Sequence, residues 1–426
     1  MISTILGAFR VAEIRKKVLF TAVLLGLYRL GSYIPAPGIN AGAVSAIQKN
    51  FGGNSVLGLL NTFSGGGLGR IAIFALGIMP YITASIILQL LQVVVPSLEK
   101  LSKEGEVGQA RITQYTRYLT VGLAFAQSIG YVFLFRSFEN QVGLQLIPNF
   151  NLAKVFLIVI CLTAGTVLLM WMGELITQRG IGNGISLMIF ASIVARIPSG
   201  INAWWLNPSQ VFRVMMPFIA IGVVAAVVFV QEGQRRIPIQ YAKRVIGRRM
   251  TQGGQTYLPL RVNMAGVIPV IFAASVMAIP PTVGQLIGQN RTGFGTNLYN
   301  FFAPGSWHYV LGECLLIIIF TYFYTAVTFN PVDQAENLKK YGGFIPGVRP
   351  GRPTAEFLDR ILARLTLPGA LFLASIAALP TILINQTGAN FAFGGTSILI
   401  VIGVALDTMK QLEAQLMMRN YEGFLK

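Results

Sequence analysis

Long apolar runs separated by short polar or charged connectors set the pattern of this chain. A helix that crosses the hydrocarbon layer of a membrane needs about 20 mostly apolar residues, and the runs fall near that length. They predict spans over Val18–Ile34 (interrupted by Arg29), Ile71–Leu98, Tyr118–Phe135, Val155–Gly173 and a short fifth, Asn183–Ala195, led in by Gly180, Gly182 and Gly184. Val214–Gln231, Val262–Leu286 and Cys314–Pro331 come next. The uncharged stretch Leu365–Leu406 is divided by Asn385–Ser397, rich in Gly, Asn and Thr, into two more. The pattern predicts ten spanning helices.

Five spans precede the Ile197–Gln210 connection and five come after it. An odd number per half gives two related halves opposite orientations, an inverted repeat, with residues 1–200 as the N-terminal half and 201–426 as the C-terminal half. In each half the second span carries proline: Pro80 in one, Pro269, Pro280 and Pro281 in the other. Proline kinks a helix, so the pair reads either as matched elements flanking one pathway or as the ordinary enrichment of proline in membrane helices.

Composition narrows the class. Of 426 residues 54% are hydrophobic and only 11% charged, against about 25% charged in soluble proteins. That excludes a soluble enzyme and a disordered tail, and leaves an all-α polytopic membrane protein. The charge is lopsided, 33 Lys plus Arg against 15 Asp plus Glu, net +18. With the N-terminus placed in the cytoplasm, 25 basic residues fall on that side and 7 on the other, with Arg29 inside a span. This bias predicts that both termini are cytoplasmic. Arg10, Arg15, Lys16 and Lys17 precede an apolar run with no small-residue cleavage site, which reads as a retained first span.

Little reactive chemistry is present. Cys161 and Cys314 lie in apolar runs, His308 stands alone, and no glycine-rich phosphate loop or catalytic constellation occurs. Ion-coupled carriers place ionisable groups at mid-membrane, but here Arg29 can snorkel outward and Glu174, Glu313 and Asp407 fall near span ends. The chain reads as a passive conduit, not an enzyme, with no cofactor, no metal site and no small-molecule substrate, driven by a partner.

Three features suit a conduit. Val56–Phe63, with Val56, Leu57, Leu59, Leu60 and Phe63, is too short to span and precedes Ser64-Gly65-Gly66-Gly67. It reads as a hinged re-entrant blocker or as a helix lying on the outer surface. Ile78 and Ile82, like Ile185 and Ile189, share a helix face, either at a dewetting constriction or toward lipid and neighbouring helices. Two basic segments, Gln231–Arg261 (Arg235, Arg236, Lys243, Arg244, Arg248, Arg249, Arg261) and Asn330–Arg364 (Lys339, Lys340, Arg349, Arg352), are longer than plain connectors. They read as docking arms for phosphate backbone or an acidic surface, or as purely topological charge.

Several motifs resemble the SecY family, the central subunit of the protein-conducting channel. They are Arg29–Gly38 (RLGSYIPAPG), Gly77–Ile86 (GIMPYITASI), Gln178–Ser186, Asn263–Pro269 (NMAGVIP), Gly343–Gly351 and the tail Arg419–Phe424. They occur in family order along nearly the whole chain. The resemblance implies two inverted, pseudo-symmetric five-helix halves around an hourglass pore with a short plug helix. Such a channel carries unfolded polypeptide across the bacterial plasma (inner) membrane and releases membrane helices sideways into lipid.

By motif the resemblance implies a pore ring of Ile78, Ile82, Ile185, Ile189, Ile271 and Ile400, and a plug over about Ser55–Gly67. It implies a lateral gate between the second and seventh spans, for which Thr83, Ser85, Gln89 and Gln127 are the candidate polar seam. Arg349, Lys243, Arg248 and Arg249 would dock the SecA motor ATPase or the ribosome, with SecE and SecG as companion subunits and signal sequences, nascent polypeptides and membrane lipid as further partners. Three rival classes are an inverted-repeat solute transporter, an intramembrane enzyme and a lipid-handling scaffold. The first two need a mid-membrane charged or catalytic site that the spans do not offer, and the long basic loops disfavour the third.

Overall fold

The computed structural model describes residues 11–40, 42–44, 61, 64–142, 145–148, 150–206, 210–241, 245–246, 249–250, 254–287, 293–303, 306–387 and 395–423. Its helices are α1 (Ala12–Gly31), α2 (Met79–Val94), α3 (Pro96–Lys103), α4 (Glu106–Val142), α5 (Leu152–Arg179), α6 (Gly184–Val194), α7 (Ile197–Trp205) and α8 (Gln210–Glu232). The strands β1 (Gln234–Tyr241), β2 (Val245–Ile246), β3 (Arg249–Met250) and β4 (Gln255–Arg261) come next. After them come α9 (Ile268–Met277), α10 (Ile279–Ile287), α11 (Phe294–Phe301), α12 (Trp307–Thr328), α13 (Pro331–Lys340), β5 (Gly343–Phe344), α14 (Arg352–Thr387) and α15 (Gly395–Gly423).

Each of the ten expected spans falls on a helix. Among the described residues six helices are long and apolar enough to cross a membrane by themselves, or seven if the bent pair α2–α3 counts as one span. Helix α1, on which the first expected span falls, starts earlier and so also carries Arg15, Lys16 and Lys17 besides Arg29, and the seventh span is broken at Ala278 into α9 and α10.

Local chemistry explains the boundaries. Proline stands in the first turn of α2, α3, α7, α9 and α13, where its missing N–H costs no helix bond. Pro80 and Pro269 therefore open their helices; they do not kink them, and Pro280 and Pro281 likewise lie in the first turn of α10. The expected continuous span Ile71–Leu98 is also shorter. Residues 64–78 are turns, and Val95 is extended (φ −100°, ψ 111°) because it precedes Pro96. The chain bends there by 100°. Asn183 caps α6 by accepting from the N–H groups of Ile185 and Ser186 (3.1 and 3.3 Å).

Helices α4, α5 and α2 pack together, α9 packs on α12, and α14 joins α12 to α15. The first five expected spans touch the last five through α2 against α9, α6 against α15 and α4 against α10. At the first of these seams Ser275 Oγ lies 3.9 Å from Met79 Sδ.

The sequence pattern offered no strands, yet the two long basic segments share a sheet of order β4-β1-β5. Its inner face packs Ile237 and Leu260 with Phe329, Ile345, Leu358, Ile361 and Leu362, a small core separate from the helical one. Both segments therefore form one folded platform.

Candidate functional site

The isoleucines singled out by spacing, and the two that the resemblance added, fall in or against one apolar cluster. Ile78, the N-cap of α2, and Ile82 one turn later are buried in one apolar cluster with Ile189 of α6, Ile271 of α9 and Ile400 of α15; Ile185 is partly buried and packs against it. Gly173 of α5 faces this cluster: a Cβ built there would make ordinary contacts, 3.4 Å from Ile185 Cγ1 and 3.7 Å from Ile78 Cδ1. Gly184 lets α6 cross α5 closely, since a methyl at 184 would overlap the carbonyl oxygen of Gly173. Sequence reasoning noted Gly184 only as part of the lead-in to the fifth span and missed it as a packing device. Val267 and Val404, also unremarked in the sequence, extend the cluster one helical turn from Ile271 and Ile400.

The expected plug residues Val56, Leu57, Leu59, Leu60 and Phe63 lie outside the described residues. The stretch after them is a bonded turn, not a slack glycine hinge. Asn61 Oδ1 accepts from the N–H of Gly69 (2.8 Å), and Ser64 Oγ accepts from the N–H of Leu68 (3.0 Å). Arg29 is held inward as well: its guanidinium donates to Gly65 O (2.7 Å) and lies 5.5 Å from the Tyr33 ring centroid. Beside it Tyr28 and Ser192 share a buried hydroxyl contact of 2.5 Å that ties α1 to α6.

The candidate seam residues satisfy themselves within their own helix. Thr83 donates to Met79 O (3.0 Å), and Gln89 Nε2 reaches Ser85 Oγ at 3.5 Å; Gln127 is half-buried on α4. The seam between α2 and α9 is thus made by apolar contact, with few cross-bonds to break. Phe272, on α9, stacks edge-on against Phe320 and Tyr324 of α12, at 6.1 and 6.4 Å.

Of the docking candidates, Arg349 is exposed on the turn between β5 and α14, which is pinned by the Thr354 hydroxyl donating to Arg349 O (2.8 Å). Lys243 and Arg248 lie outside the described residues, and Arg249 is placed by its backbone in β3, paired with Ile246. Of the acids expected near span ends, Glu313 lies elsewhere. Because α12 starts at Trp307, ahead of the expected Cys314, Glu313 is buried within the helix. Asp407 sits where α15 leaves its apolar stretch; desolvation raises its carboxyl above the usual range, opposed by Arg261 and Lys410. Lys410 itself pairs with Glu232 of α8 (2.7 Å).

Comparisons with known proteins agree on one family. The SecY family model matches residues 72–409. The protein translocase subunit SecY of Streptomyces galbus is 51% identical, with both chains covered completely, and that of Corynebacterium glutamicum is 49% identical over the same full extent. Among solved structures, one described as a protein-conducting channel superposes with a TM-score of 0.63 at 19% identity, covering 93% of this chain and 91% of the other. Canine Sec61 in a ribosome-channel complex from the endoplasmic reticulum gives 0.60 at 18%, with the same coverage. The fold is shared with these channels and about half of all residues with the full-length bacterial relatives: the chain belongs to the SecY family.

Proposed function

We propose that this chain is the pore-forming subunit of a protein-conducting channel that passes unfolded polypeptide across the bacterial plasma membrane and lets apolar segments leave sideways into lipid. The observation that supports the reading is that Ile78, Ile82, Ile189, Ile271 and Ile400, from four helices, belong to one uncharged apolar cluster against which Ile185 packs. A translocating chain varies in side-chain size and charge, so a waist with fixed hydrogen-bonding groups would trap some sequences. Branched aliphatic side chains bind nothing strongly, dewet when the passage is empty and yield around whatever enters. Residues 1–200 and 201–426 act as the two halves, the seam between α2 and α9 as the lateral gate, and the segment around Ser55–Gly67 as the plug.

Orientation follows the basic bias, with both termini and the sheet platform in the cytoplasm. There Arg349, with Lys243, Arg248 and Arg249, receives the SecA ATPase or the ribosome, which supplies the driving force; SecE and SecG complete the complex. Proteins of the same fold are described in complex with ribosomes, which supports the ribosome as a partner. Arg349→Glu, measured by SecA-dependent translocation into vesicles, tests this. Loss of SecA stimulation is expected, and unchanged transport with unchanged stimulation refutes the docking role.

A further inference from the structure

The sheet at the channel mouth has its edges interrupted by proline at positions that register makes outward-facing. Strands β1 and β4 are antiparallel, with Gln234 opposite Arg261, Arg236 opposite Pro259, Pro238 opposite Tyr257 and Gln240 opposite Gln255. Two bonds flanking the ladder fix its phase: Val262 N–H donates to Gly233 O (2.9 Å) and Tyr241 N–H to Gly254 O (3.2 Å). In an antiparallel pair, directly bonded residues alternate with residues whose backbone groups point away from the partner. The bonded pairs are therefore Arg235 with Leu260, Ile237 with Leu258 and Ile239 with Thr256. The outward-facing backbone belongs to Gln234, Arg236, Pro238 and Gln240 on β1, and to Gln255, Tyr257, Pro259 and Arg261 on β4.

Both prolines thus sit where an added strand would need an N–H. On the free edge of β4, Pro259 stands between Tyr257 and Arg261, and the Arg261 N–H is already turned to Met264 Sδ (3.3 Å). On the other edge, β5 pairs with β1 only at Gln240 and Tyr241. Carrying that register two residues further sets Pro238 against Pro346, and the pairing stops. The β4 edge is accessible, with Gln255, Tyr257, Pro259 and Arg261 all exposed.

An open, accessible edge is a template for any extended chain, and prolines confine themselves to edges because they cannot donate to a ladder. We propose that Pro238 and Pro259 are specificity residues that keep this sheet from capturing, by strand addition, the extended polypeptide delivered to the channel. The inference rests on the protein-conducting reading above, and extends the non-adhesive character of the isoleucine waist to the platform at the mouth. An edge with unbroken N–H groups would compete with the pore for every unfolded segment, whatever its side chains, because strand addition uses only backbone.

The test uses the full translocon in proteoliposomes with a stalled translocating chain bearing single cysteines, and a cysteine introduced at Gln255. Pro259→Thr and Pro259→Ala each restore one outward N–H. Disulfide capture of the stalled chain at position 255 is expected to rise about fivefold, the weight of about one net main-chain hydrogen bond, while transport slows. Equal capture in wild type and both variants overturns the proposal. A second measurement needs no variant: in the wild-type complex, the amide protons of Gln255 and Tyr257 are expected to exchange at the same rate with and without the stalled chain, and protection by the chain also overturns it. Were wild-type transport itself absent, the channel reading and not this proposal would fall.

Discussion

Ile400 and Leu399 are neighbours in α15, both 0% exposed, yet they belong to different clusters. Ile400 belongs to the apolar cluster that also holds Ile78, Ile82, Ile189 and Ile271, with Ile185 packed against it. Leu399 packs with Val223, Val227, Val270, Ile317, Leu373 and Ile376. Cutting either to alanine empties part of a fully enclosed site, and each loss costs about 2–5 kcal/mol through forfeited contacts and a residual cavity. Stability alone does not separate the two positions, which makes Leu399→Ala a matched control for Ile400→Ala. The proposed waist separates them: with Ile400 lining it, only the cavity at 400 would open into the passage and admit water and ions. Both variants are to be reconstituted with partner subunits into vesicles, with ion leak read by a trapped indicator dye and thermal midpoints recorded alongside. The expected result is a lowered midpoint for both and increased leak for Ile400→Ala alone. Equal leak from the two, or none from Ile400→Ala despite its lost stability, refutes the placement of Ile400 at a seal.

Packing and charge give two further outcomes. Gly184→Ala drives a methyl into the Gly173 carbonyl, an overpacking that costs about 1–3 kcal/mol and pushes α6 off α5; thermal unfolding checks it, and an unchanged midpoint shows that the crossing is looser than that contact requires. Asp407 has a raised carboxyl pKa with desolvation as its main cause, so the folded state holds this proton more tightly than the unfolded one. Its contribution to stability therefore falls as pH rises from the ordinary aspartate range through the raised value. Denaturation of wild type and Asp407→Asn across that range checks the sign: the wild type should lose stability relative to the variant as pH increases.

Much of the helical frame was legible because membrane spans announce themselves as uncharged runs, and the isoleucine pairs because spacing of four puts side chains on one face. Their shared packing was not legible, since it involves a close crossing of α6 over α5 at Gly184 between helices whose contact no local pattern encodes. The half-length second span has a similar cause. Ile71–Ile78 is apolar enough for a helix, but Ile71 takes a positive φ of 49° and the segment folds back so that Ile73 N–H donates to Ile34 O (3.0 Å). The sheet escaped because β5 (Gly343–Phe344) lies far along the chain from β1 (Gln234–Tyr241), and its two residues carry no strand signature. Proline misled in one respect: read as a possible kink at 80 and 269, it marks helix starts there.

If the six isoleucines form the waist, they surround the passing chain. The most direct measurement stalls a translocating polypeptide with one photoreactive residue at mid-membrane and maps its cross-links on the channel. Adducts are expected at Ile78, Ile82, Ile185, Ile189, Ile271 and Ile400. Adducts concentrated instead on outward-facing positions of α4 and α5, such as Phe125, Ile160 and Trp171, would contradict that placement.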